Sequence, residues 1–223
     1  MAYLFDFSFI PEYGHMLASG IVYTVGLTLV GGVLGIAIGI LGAMCRYWQI
    51  RPFAGLYQCY VEVFRNTPFL VQLFLIFFGL PSIGLHLSEW QAAILAMVLN
   101  LGAYSTEIIR SGLQATPKGQ IEAAESLAFT RWQLFVYVML RPAMRKVWPA
   151  LCSQIVISML GSSVCSQISA QDLTFVANYI QSRNFRAFET YFLTTAIYFA
   201  LAFLIRKLLG LIGRYVIVRR PLP

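Results

Sequence analysis

Long apolar runs separated by short polar stretches set the character of this chain. The first run covers residues 20–44 and ends at Arg46. The second, residues 53–80, is uneven: a mixed first half, then Arg65-Asn66-Thr67-Pro68, then an apolar stretch from Phe69. The third carries Asn100, Tyr104 and Glu107 among its apolar residues, and the fifth ends in a basic tail. An α-helix rises about 1.5 Å per residue and needs roughly 20 residues to cross a bilayer core. The pattern therefore predicts an all-α integral membrane domain, residues 1–223, with about five transmembrane helices. The expected spans are approximately 20–44, 57–80, 90–110, 147–165 and 190–212.

Finer spacing adds detail to three regions. In span one, Gly31, Gly35 and Gly39 recur every fourth residue, with Thr24, Thr28 and Gly42 close to the same face. Such a stripe lets another helix backbone approach closely. In span two, Thr67 can cap a helix that has Pro68 at its first position, where the missing N–H is harmless. A broken or kinked second span is expected. Between spans three and four, Thr116-Pro117 is a helix-start signal. A short helix over about 117–128 would put Ile121, Ala124 and Ala128 on one face. Thr130 and Gln133 then fit a capping box that opens the next helix, which Pro142 and Pro149 should bend.

Composition agrees with a membrane setting. The chain is 59% hydrophobic and 11% charged, against about 25% charged in soluble domains. The net charge of +7 would suggest nucleic acid in a soluble protein. Here thirteen of the sixteen basic residues fall at one set of alternating loops and ends: Arg46, Arg51, Arg110, Lys118, Arg131, Arg141, Arg145, Lys146, Arg206, Lys207, Arg214, Arg219 and Arg220. Asp6, Glu12, Glu89, Asp172 and Glu189 fall on the other side, with Arg183 and Arg186 in the loop between spans four and five. The positive-inside rule then places the N-terminus outside and the C-terminus in the cytoplasm, which requires an odd number of spans. Residues 1–19 contain no Lys or Arg, so a cleaved signal peptide is not expected. Cys45, Cys59, Cys152 and Cys165 form no CxxC pair, and His15 and His86 stand apart, so neither a metal site nor a disulfide framework is expected.

The loop between spans three and four carries the most specific signal. Glu122-Ala123-Ala124, followed by Ala128, Val138 and Leu140, resembles the EAA loop of binding-protein-dependent ABC importer permeases. Ala128 stands where that family usually has glycine, and the family's Leu-Pro end is displaced, with Arg141 between Leu140 and Pro142. Three further stretches are similar to the polar amino acid branch, which serves histidine, glutamine, glutamate, arginine and opines. They are residues 62–74, residues 102–112, and Ser182-Arg183-Asn184-Phe185-Arg186-Ala187-Phe188-Glu189. The branch's Lys-Asp-Thr-Ser run is matched by Ser162 and Ser163 only, because Leu160 and Gly161 replace its charged pair.

The resemblance implies a permease of the inner membrane that forms half of a translocation pathway. Its partners would be a second permease (identical or related), an ABC ATPase dimer and an extracytoplasmic solute-binding protein, within a lipid bilayer and without nucleic acid. The short helix would be the coupling helix, with Gly119, Ile121, Glu122, Ala123, Ala124, Ser126, Leu127 and Ala128 at the ATPase. No phosphate-binding GxxxxGK[ST] loop occurs. The chain itself needs no cofactor, and ATP and Mg belong to the partner.

Polar groups inside membrane segments are costly and point to function by default. The substrate-path candidates are Glu62, Arg65, Asn66, Thr67, Asn100, Glu107, Ser162 and Ser163. Glu62 and Arg65, three apart, could instead form a structural ion pair. A helix starting at Pro68 would aim its amides toward Arg65, a setting suited to a carboxylate. The competing readings are an ABC permease for another small solute, an ATP-independent transporter or channel, and a membrane enzyme. The last lacks any acid–base or nucleophile–histidine constellation.

Overall fold

The computed structural model describes residues 5–217, and every regular element among them is helical. Helix α1 spans Ile10–Tyr47 and α2 spans Phe53–Arg65. Helix α3, Phe69–Phe74, continues through a π turn, Leu75–Gly79, and a 3-10 turn, Leu80–Ile83. Helix α4 spans Glu89–Gln114 and the short α5 spans Lys118–Ser126. One turn, α6 at Arg131–Gln133, leads through a π segment, Leu134–Leu140, into α7, Arg141–Gly161, which tightens to 3-10 over Ser162–Ile168. Helix α8 covers Leu173–Asn184, and α9 covers Ala187–Ile212 with a π turn at Gly213–Ile217.

Among the described residues, four stretches are long and apolar enough to cross a membrane: Ile10–Tyr47, Glu89–Gln114, Arg131–Ile168 and Ala187–Tyr215. The fifth expected span corresponds to the pair Phe53–Arg65 and Phe69–Ile83, which bends by 113° at the break and makes a fifth crossing only if its two halves together form one span. Span one starts earlier than expected, because Pro11 sits in the first turn and nothing up to Gly20 interrupts the helix. Span four is likewise the second half of a longer run. Leu134–Leu140 adopts π geometry immediately before Pro142, where the missing N–H would disrupt regular i−4 bonding.

The packed face of α1 is built largely from small residues. On α1 the buried positions include Gly20, Thr24, Thr28, Gly31, Gly35, Gly39 and Gly42, while Val22, Leu29 and Val33 face outward. Lipid is as apolar as leucine, so helices associate through close packing of small residues. A Cβ on Gly35 would lie 3.0 Å from the Leu101 Cβ, and one on Gly39 would lie 2.5 Å from the Ser105 Cβ. The stripe therefore faces α4, except at its N-terminal end. There Gly20 meets Leu173, and the Thr24 hydroxyl accepts the Leu173 amide at 3.1 Å.

Helix α8 occupies what the apolar runs left as a loop. Its buried residues, Leu173, Val176, Ala177 and Ile180, follow i, i+3, i+4, i+7 spacing. Asp172 caps it, accepting the Phe175 amide at 2.8 Å. Arg183 is therefore helical, on the last turn of α8. Arg186 pairs with Asp6 and ties the entrance of α9 to the segment before α1. Arg219 and Arg220 lie outside the described residues.

Candidate functional site

The break in span two assembles one polar site. Pro68 has extended geometry (ψ 139°) and precedes α3 rather than occupying its first turn. Thr67 is consequently not a cap. Its hydroxyl donates to the Val63 carbonyl at 2.8 Å, tying back to α2. The side chain that joins the halves is Gln72. Its amide nitrogen donates to the Phe64 and Thr67 carbonyls and to the Thr67 hydroxyl, at 2.8, 3.0 and 2.8 Å. Its oxygen accepts from Asn100 of α4 at 2.9 Å. Buried amides need such partners, so this network holds the break at a fixed position against α4.

Two cavities flank the break. One, of about 430 Å³, is lined by Thr67, Asn100, Tyr104, Gln154 and Ser158 and by no charged side chain. The other, of about 390 Å³, is lined by Glu62, Arg65, Asn66, Tyr104, Glu107 and Arg46. Tyr104 borders both. Glu62 and Arg65 do not pair with each other. Glu62 accepts from Gln58 at 2.9 Å, and the Arg65 guanidinium lies 5.5 Å from the Tyr104 ring centre with no carboxylate partner among the described residues. Asn66 bonds back to the Glu62 carbonyl at 2.8 Å. Glu107 is already committed: it accepts from Arg46 at 2.6 Å and from Arg110 of its own helix.

The predicted candidates thus divide. Glu62, Arg65, Asn66, Thr67, Asn100 and Glu107 come together around the break. Ser162 and Ser163 do not line these cavities; their hydroxyls bond the Met159 and Leu160 carbonyls at 2.7 Å within their own helix. The sequence reading passed over Gln72, Gln154 and Ser158. Gln154 and Ser158 are four apart in an apolar helix, and polar residues at that spacing in a span were the available signal.

The second feature is α5. Pro117 precedes it in extended geometry (ψ 135°), so the helix starts at Lys118 and is shorter than expected. Ala124 is buried and Ile121 half-buried, against a core built from Ile109, Leu113, Leu134 and Phe135. Ala128 does not share that face. It is exposed, with φ at +58°. The Phe129 amide bonds the Ala124 carbonyl and the Ala128 amide bonds the Glu125 carbonyl, at 3.1 and 2.9 Å. That is a Schellman ending, whose left-handed residue is most often glycine. Gly119, Glu122, Ala123, Ser126 and Leu127 are exposed, and the Thr130–Gln133 capping box forms as expected.

Residues 31–217 match the model of the binding-protein-dependent transport system inner membrane component. The chain belongs to that family. Among relatives, this permease is 33% identical to the L-cystine transport system permease protein of Bacillus subtilis, over 89% of its own length and 86% of the relative's. It is 31% identical to the nopaline transport system permease protein of Agrobacterium fabrum, covering 92% and 90% of the two chains. A crystal structure of an amino acid ABC transporter with histidines superposes with a TM-score of 0.84 at 36% identity, over 96% of this chain and 100% of that one. An inward-facing methionine ABC transporter matches at 0.77 and 21% identity, over 91% and 97%, a likeness of fold. The permease is a multi-pass protein of the inner membrane.

Proposed function

We propose that this permease forms half of a translocation path for a polar amino acid or amino-acid derivative. Its N-terminus faces outside and α5 faces the cytoplasm, as the distribution of Arg and Lys suggests. ATP is hydrolysed by a separate ATPase dimer that closes against the exposed side of α5. A second permease completes the path, and an extracytoplasmic binding protein delivers the solute. The similarity to cystine and nopaline permeases supports this substrate class.

The observation that carries the reading is the broken span, with Arg65 and Glu62 outside any ion pair among the described residues, beside an uncharged cavity. Arg65 would take the α-carboxylate, since a guanidinium presents paired donors to it. Glu62 would take the α-ammonium. Thr67, Asn100, Gln154 and Ser158 would then receive an uncharged polar side chain, because no ion there offsets the desolvation of a charged one. Pressure on α5 reaches this region through Ile121 and Ala124, which pack on the same core as Ile109 and Leu113 of α4. A packed core of this kind favours rigid-body switching between two arrangements over gradual deformation.

Uptake by the complete transporter in proteoliposomes tests the proposal. Arg65→Gln removes the carboxylate partner at an exposed position, so it should reduce uptake about tenfold or more, by loss of a charge-assisted pair worth roughly 1.5–3 kcal/mol. Assembly should remain intact. Unchanged uptake in that variant would refute the role given to Arg65.

A further inference from the structure

A third cavity, of about 430 Å³, lies at the α5 end of the bundle, where the turn after α1 meets the start of α2 and the end of α4. Arg46, Arg51 and Arg110 line it with Gln49 and Gln58, and no carboxylate does. Glu107 lies behind it. One of its oxygens accepts from Arg46 Nη1 at 2.6 Å, and the other from Arg110 through Nε at 3.0 Å and through Nη2. This carboxylate fixes the two guanidinia in place but neutralises only one of them. Arg51 has no ion-pair partner among the described residues, so the cavity faces two uncompensated positive charges. The free donors are Arg46 Nε and Nη2, Arg110 Nη1 and the whole Arg51 fork.

The turn that carries Arg51 is itself defined. Gln49 takes φ of +53°, its side chain donates to the Arg46 carbonyl at 2.8 Å, and the Ile50 amide bonds the Cys45 carbonyl at 3.0 Å. Pro52, Ala54 and Gly55, at the start of α2, complete the lining. A fixed cluster of guanidinia at the end of membrane-crossing helices suits the anionic headgroup of a lipid.

We propose that this cavity binds the phosphate headgroup of an anionic phospholipid from the cytoplasmic leaflet. The proposal rests on the orientation given under Proposed function.

The test uses the assembled transporter in nanodiscs of phosphatidylcholine containing phosphatidylglycerol, with the lipid retained after detergent extraction counted by native mass spectrometry. Phosphatidylglycerol should be enriched on the wild type. Arg51→Ala, at an exposed residue without partners, should weaken retention about fivefold, and Arg51→Lys should restore most of it. Equal retention of the two lipids, or no effect of Arg51→Ala, would overturn the site. Displacement of the lipid by inorganic phosphate at comparable affinity would assign the cavity to a soluble anion and equally overturn the proposal. Labelling of an Arg51→Cys chain by an impermeant thiol reagent in inside-out vesicles, above the parent chain, tests the orientation separately.

Discussion

Ala128 shows how one residue can satisfy a backbone requirement at a cost. Its φ of +58° closes the Schellman ending of α5, a conformation that costs an L-residue about 1–2 kcal/mol and glycine almost nothing. Ala128→Gly should therefore stabilise the end of α5 by about 1 kcal/mol, and Ala128→Val should destabilise it by at least as much. Hydrogen exchange at the Ala128 and Phe129 amides measures both. At the opposite end, Asp6 is bonded by the Ser8 amide and hydroxyl and then by Arg186, and these hold its carboxyl below the usual aspartate range. A depressed carboxyl gives its contribution at neutral pH and loses it as the pH falls through the lowered value. A spin label on a Phe5→Cys chain should thus gain mobility on acidification, and should be mobile at neutral pH when Asp6→Asn is added.

Among the elements, the broken span and the α1–α4 contact carry the most structure. Gln72→Met preserves bulk but leaves the Phe64 and Thr67 carbonyls and the Asn100 amide without their partner. At about 1–3 kcal/mol for a group left unsatisfied, the variant should unfold at a clearly lower temperature in detergent and transport poorly. Asn100→Leu in the same background should recover part of the lost stability, because it removes one orphaned amide. On α1, Gly39→Val should separate the helix from α4, since even a Cβ there would overlap Ser105. A cross-linking yield between the two helices, lower in the variant, checks this. Thermal melts of Gly14→Val provide the control, because a Cβ at Gly14 meets nothing within 4 Å.

For the whole molecule, the proposed function requires one chain to present a rigid bundle to lipid and a docking surface to a soluble partner. Glu122 is exposed on α5 and makes no ion pair among the described residues. Glu122→Lys should consequently change stability by less than about 0.5 kcal/mol. It should nevertheless abolish co-purification with the ATPase and with it ATP-dependent uptake.

Much of this protein was determined by sequence alone. Hydropathy sets which stretches cross the membrane, because roughly 20 apolar residues have no stable alternative in water. Small-residue spacing marks the face of α1 that packs, and Pro68 marks where span two breaks. These are local properties, since each depends only on residues within a single apolar run. The tertiary structure decided the remainder. It placed Gln72 as the tie across the break and left Arg65 and Glu62 unpaired although their spacing permits pairing. It committed Glu107 to Arg46, sixty-one residues away. It also turned the stretch after Ser169 into α8, whose apolar spacing was legible but whose burial depends on Gly20 and Thr24 of a distant helix. Whether a polar side chain is free or satisfied depends on which neighbours arrive from elsewhere in the chain, and no local pattern encodes that.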